Sequence, residues 1–154
     1  MKIRDVLLLK DAKYRAVVTI GPNETVLAAI QKLVEHDRGS LPVCDDEGRL
    51  VGIITERDVV RKCLAHGISY ANIRVEDIMT HQVAIGTLED DADYAISVMN
   101  RKRVRHLPIL DGQKVVGMIS MRDLLGVELE ETKAQIRYTD LLPRRTRSQR
   151  PRLI

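Results

Sequence analysis

Apolar positions along the chain change period several times, and the changes mark its elements. Residues 16–20 are short and β-branched, which predicts a strand, and Gly21-Pro22-Asn23 supplies the turn that ends it. Val26, Ala29, Ile30, Leu33 and Val34 recur at helical spacing, with Asn23 or Thr25 as cap and Gly39 as stop. Residues 41–44 read as a buried strand, 45–48 as a hairpin turn and 50–55 as the returning strand. Residues 56–66 read as a second helix with Gly67 at its C-terminal cap. The order then recurs: strand 82–86, helix 90–102, strand 107–110, turn at Asp111-Gly112, strand 114–119, and a helix from 121 to 126 or beyond.

The recurrence extends to residue identity. Val51-Gly52-Ile53-Ile54-Thr55-Glu56-Arg57-Asp58-Val59 lies over Val116-Gly117-Met118-Ile119-Ser120-Met121-Arg122-Asp123-Leu124, with five of nine positions identical. Leu41-Pro42-Val43 lies over Leu107-Pro108-Ile109, and Ile3-Arg4-Asp5-Val6-Leu7 resembles Val75-Glu76-Asp77-Ile78-Met79. The order is kept while the offset drifts from 72 to 65, as small insertions would cause. The chain is therefore read as a tandem duplication of a β-α-β-β-α unit. One unit cannot cover both faces of its sheet, so two should pack sheet to sheet about a pseudo-two-fold axis. The fold class expected is α/β (α+β). The first copy spans 3–68 and the second 75–126; 127–138 is a helical extension and 139–154 a basic, disordered tail.

Composition narrows the function. Hydrophobic residues are 44% and charged residues 31%, which excludes disorder over the whole length. Phe and Trp are absent, and the aromatics are Tyr14, Tyr70, Tyr94 and Tyr138, so the platforms on which single-stranded nucleic acid stacks are missing. No apolar run approaches the roughly 20 residues of a bilayer span, and no signal-peptide core is present, so a cytoplasmic location is expected. The net charge is +3, but residues 139–154 hold five arginines and one acid, so the body is nearly neutral. Cys44 and Cys63 lack a CxxC partner, and His36, His66, His81 and His106 sit at no ligand spacing, so no metal site is expected. Cys44 reads as the end of a strand and Cys63 as a small apolar helix residue. Met79, Met99, Met118 and Met121 read as core or interface filler.

One repeated feature carries chemistry: a strand ending on a hydroxyl residue, then two residues, then Asp. The pairs are Thr55 with Asp58 and Ser120 with Asp123. Each pair suits a helix cap, the hydroxyl at the N-cap and the acid in the first turn. Each also suits a ribonucleoside, because a carboxylate can accept both hydroxyls of a cis-diol and a helix N-terminus can receive phosphate. The residues alone leave both readings open.

The set as a whole resembles the CBS (cystathionine β-synthase) domain family. The resemblance rests on Asp77-Ile78-Met79-Thr80, on Arg103-Val104-Arg105-His106-Leu107-Pro108-Ile109, on Gly52-Ile53-Ile54-Thr55-Glu56-Arg57-Asp58, and on Gly117-Met118-Ile119-Ser120-Met121-Arg122-Asp123. It covers residues 3 to about 126 and implies a stand-alone CBS pair, or Bateman module. It further implies a non-enzymatic sensor that binds AMP, ADP, ATP, NAD(H) or S-adenosylmethionine in two inter-repeat clefts, AMP or ATP foremost. On this resemblance Asp123 would hold one ribose and Ser120 its ribose or phosphate. The base would lie against Val18, Thr19 and Ile20 and near Ser40, Leu41 and Pro42. In the other cleft Asp58 and Thr55 would act alike, with Ala84, Ile85, Thr87, Leu107 and Pro108 around the base. Arg105 and His106 stand where the family places phosphate-binding side chains, opposite Gly39 and Ser40 in the first copy. Asp123 is expected to matter more than Asp58.

Arg57 and Arg122 are read as surface or dimer ion pairs. The module is expected to dimerise through Val59, Val60, Cys63, Leu64, Leu124, Leu125, Val127 and Leu129, and to signal to an unidentified regulated protein. The alternative is a nucleic-acid-associated protein that binds through its arginine tail, with the pair as dimeriser; it would lose binding on deletion of 144–154. Catalysis is not expected, for no nucleophile with a base or paired catalytic carboxylates is visible.

Overall fold

The computed structural model describes residues 1–132. The expected tail and the second half of the helical extension, 133–138, lie outside the described residues. The hairpins form where the turn chemistry puts them. Strand β1 (Ser40–Cys44) pairs antiparallel with β2 (Leu50–Thr55), and β4 (His106–Asp111) with β5 (Lys114–Ser120). Helix α3 (Val26–Glu35) begins at Thr25, whose hydroxyl accepts from the Ala28 N–H at 3.1 Å. Helix α6 (Ala92–Lys102) is its counterpart, and α7 (Met121–Thr132) follows β5.

Both opening strands are shorter than expected. Residues 16–20 contribute a single parallel bridge, Ile20 to Val43, because the segment before it folds as α2 (Ala12–Arg15). The Arg38 guanidinium takes the Lys13, Tyr14 and Ala16 carbonyls at 3.0–3.1 Å, so these carbonyls bond a side chain instead of a ladder. In the second copy only β3 (Gly86–Thr87) pairs with β4. Gly39 is not the stop of α3, which is capped by His36 and turns through Asp37 at φ 52°; Arg103, at φ 55°, does the same after α6. The expected helix 56–66 starts as α4 (Glu56–Asp58), widens into a π-helical stretch (Val59–Cys63) and closes as a 3-10 turn (Leu64–His66) on Gly67 at φ 65°.

The two cores exchange their opening segments. Helix α5 (Val75–Ile78) buries Val75, Ile78 and Met79 with Ile20, Leu33, Leu41 and Ile54 of the first copy. Helix α1 (Ile3–Leu9) buries Ile3 and Val6 with Met99, Leu107, Ile109 and Ile119 of the second. The hydrogen bonds follow the same symmetry. Val75 and Glu76 donate to Glu24 and Pro22, and Ile3 and Arg4 donate to Asp90 and Leu88, so corresponding donors lie 72 residues apart and corresponding acceptors 66. Neither core is complete without the other copy's opener, which ties the two units into one cooperative body.

This exchange accounts for the glycines of the repeated Val-Gly step. A Cβ on Gly52 would lie 2.6 Å from Met79 Sδ and 3.0 Å from the Thr80 carbonyl, and one on Gly117 would lie 2.8 Å from Leu7 Cδ1. Each opener crosses its host strand where no side chain intervenes.

Candidate ligand cleft

Between the copies lies a cavity of about 630 Å³, in the range of small-molecule sites. Its floor is the end of β2 and the start of α4: Ile53, Thr55, Glu56, Arg57 and Asp58. The π-helical stretch adds Arg61 and Lys62. Thr80 and the segment Gln82, Val83 and Ala84 form a second side, and Arg103, Val104, Arg105 and His106 a third. Residues 82–84 thus line the cavity instead of extending β3.

Thr55 and Asp58 form a reciprocal cap. The Asp58 N–H donates to Thr55 Oγ1 at 3.1 Å, and the Thr55 N–H donates to Asp58 Oδ2 at 3.0 Å. Asp58 Oδ1 accepts from Lys62 Nζ at 2.9 Å and from the Thr80 hydroxyl at 3.3 Å. The carboxylate is buried, with 9% of its side chain exposed, but Lys62 is 46% exposed and can swing away. Ser120 and Asp123 repeat the cap at 2.8 and 3.1 Å. The capping reading therefore holds in both copies.

The surroundings of the two caps differ. Asp123 Oδ2 is 3.0 Å from Lys10 Nζ, whose side chain is only 9% exposed. Of the wall expected opposite Asp123, Ile20 and Leu41 are core residues, and the Thr19 carbonyl accepts from Lys32. Val18, Ser40 and Pro42 border a void of about 20 Å³, room for a single water. In the Asp58 cleft the structure assembles Thr55, Asp58, Ala84, Arg105 and His106. Ile85 and Thr87 are exposed outside it, and Leu107 and Pro108 are buried in β4. Space thus favours Asp58, opposite to the order drawn from the sequence.

Several lining residues had no ligand role in the sequence reading: Arg61, Lys62, Gln82 and Val83, and the motif residues Thr80, Arg103 and Val104. Arg57, read as a surface ion pair, faces the cavity, whereas Arg122 is exposed elsewhere. The only advance signal was the basic run 101–105. Five cationic side chains line the cleft against two acidic ones, Glu56 and Asp58. Among the described residues no group of three or more His, Cys, Asp or Glu could hold a metal ion.

His106 stands between the clefts. Its imidazole would lie 3.2 Å from a Cβ on Gly39. Burial holds its pKa below the ordinary value; Lys10 and Arg105 push the same way against the opposing pull of Asp123. Below the unfolded value of about 6.5 the unfolded chain takes up a proton that the folded imidazole refuses. Thermal midpoints should therefore hold steady above that pH and fall from it down towards the folded pKa. A His106→Gln variant should flatten that slope, and an unchanged slope would refute this origin.

Comparison with known proteins agrees with this architecture. The model of the CBS domain matches twice, at residues 9–65 and 75–130. The chain belongs to the CBS domain family. An uncharacterized protein of Methanopyrus kandleri is 37% identical over 117 residues, which is 74% of this chain and 59% of that protein's length. A protein with CBS domains from Burkholderia ambifaria superposes with a TM-score of 0.82 at 34% identity, covering 89% of this chain and all of that one. A CBS domain pair solved in complex with 5′-methylthioadenosine and S-adenosyl-L-methionine is 26% identical, with a TM-score of 0.73 over 83% of this chain and 99% of its own. The overall architecture is thus that of a CBS pair. Among the described residues no helix is long and apolar enough to cross a membrane.

Proposed function

We propose that this CBS pair is a regulatory module that takes a phosphorylated, adenosine-containing ligand in the Asp58 cleft and signals occupancy to a partner protein. The observation that carries this reading is the cavity itself: its volume suits a nucleotide, and its cations outnumber its acids five to two. The ribose diol would take Asp58 Oδ1 once Lys62 swings from it, and Lys62 would join Arg57, Arg61, Arg103 and Arg105 on the phosphates. The apolar walls at Ile53, Val83, Val104 and Ala84 receive the base. Binding acts by preferring one packing of the two copies, which meet across these walls. The same reading includes a second copy of the chain against Val60, Leu64 and Leu125, which are exposed; Val59, Cys63 and Leu124, expected on that face, are buried in the cores instead.

Calorimetric titration with Asp58→Asn tests the ribose contact. The amide presents a donor where the diol also donates, and a hydrogen bond to a charged group is worth about 1.5–3 kcal/mol. ATP should bind the variant roughly ten- to a hundredfold more weakly than wild type. Equal affinity would reduce Asp58 to a helix cap.

A further inference from the structure

The second cleft is a reduced image of the first. Of the seven residues around the 20 Å³ void, six occupy positions whose counterparts line the open cavity; Ala16, Val17 and Val18 answer to Gln82, Val83 and Ala84, and Ser40 to His106. At the Asp123 cap beside this void a side chain stands where a ligand would. Lys10 Nζ donates to the Met118 carbonyl at 2.8 Å while pairing with Asp123. In the open cleft the carbonyl of Ile53, the counterpart of Met118, accepts the Thr80 backbone N–H at 2.8 Å instead. Helix α1 runs on to Leu9, whereas α5 stops at Ile78, so the first opener leaves β5 before it can supply that backbone donor. The Lys10 side chain supplies it instead.

Lys10 falls in a six-residue insertion, 10–15, that the second copy lacks, so the open cleft has no counterpart of it and Asp58 pairs instead with the half-exposed Lys62. The Lys10 segment is also braced: Arg15 donates to the Lys10 carbonyl at 2.8 Å and to the Leu8 carbonyl at 2.7 Å. One buried polar atom is left over. Ser40 is 4% exposed, borders the void, and its hydroxyl has no hydrogen-bond partner among the described residues. A cleft built for Lys10 alone would not need that hydroxyl.

We propose that Lys10 is an internal latch that occupies the Asp123 carboxylate in place of a ribose, so that the chain binds one nucleotide and holds a second site closed. The proposal rests on the Asp58-cleft reading for its ligand, but the latch has a readout of its own. ATP is titrated into wild type, Lys10→Gln and Lys10→Met, and the ligand-free wild type is labelled with acetic anhydride. The expected result is one ATP per wild-type chain, two per chain of either variant, and Lys10 acetylated more slowly than exposed Lys13. Two ATP in wild type, one in both variants, or Lys10 labelled as fast as Lys13 overturns the latch. ATP bound by the Lys10 variants alone would uphold the latch and fail the Asp58 reading; ATP bound by none of the three overturns both.

Discussion

Gly52→Val should unfold the protein at a much lower temperature than wild type. The new Cβ would start 2.6 Å from Met79 Sδ and 3.0 Å from the Thr80 carbonyl. Met79 can move, but Thr80 cannot do so cheaply, for its N–H and carbonyl are both bonded to Ile53, at 2.8 and 3.0 Å. Overpacking of this kind costs about 1–3 kcal/mol, and the fixed carbonyl puts Gly52 at the upper end. A loss near 3 kcal/mol lowers the midpoint by roughly 10 °C in a chain of this size. Gly117→Val is the internal control. Its Cβ meets the end of Leu7, a flexible side chain, so about 1 kcal/mol is expected. Thermal melts followed by circular dichroism read both, and equal losses would mean that the exchange of openers is not what excludes a side chain.

The second large effect concerns ligand charge. ATP carries several negative charges, and S-adenosylmethionine is net positive, so five cations against two acids must separate them. We expect ATP to bind at least about a hundredfold more tightly, some 2.7 kcal/mol, and to lose affinity as salt screens the exposed arginines. Competition against a fluorescent ATP analogue at low and high salt measures this. Stronger binding of S-adenosylmethionine, or affinity for ATP that ignores salt, would place the phosphates outside the cleft.

What the sequence could and could not convey follows from range. The hairpins, α3, α6 and both caps were legible because each depends on neighbours within a few residues: Asp45 to Gly48 set one turn, Gly112 the other, and Thr55 with Asp58 needs only one helical turn. The opening strands were misjudged because β-branched residues at 16–20 look alike whether they pair or line a surface, and Arg38, more than twenty residues away, decided the matter. The exchange of openers left a visible trace, the Gly of each Val-Gly step, but its meaning needs the crossing strand. The preference for Asp123 over Asp58 runs against the space in the structure for the same reason. Wall residues suggested two similar clefts, and what closes one is the reach of Lys10, 113 positions away in the sequence from the acid it holds.

A crystal structure of the chain grown with ATP tests the central claim most directly. The account predicts density for one nucleotide per chain in the Asp58 cleft, its ribose on Asp58 Oδ1 with Lys62 swung aside, its phosphates among Arg57, Arg61, Arg103 and Arg105, and Lys10 still on Asp123. Density at the Asp123 cap with Lys10 displaced and the Asp58 cleft empty would contradict it.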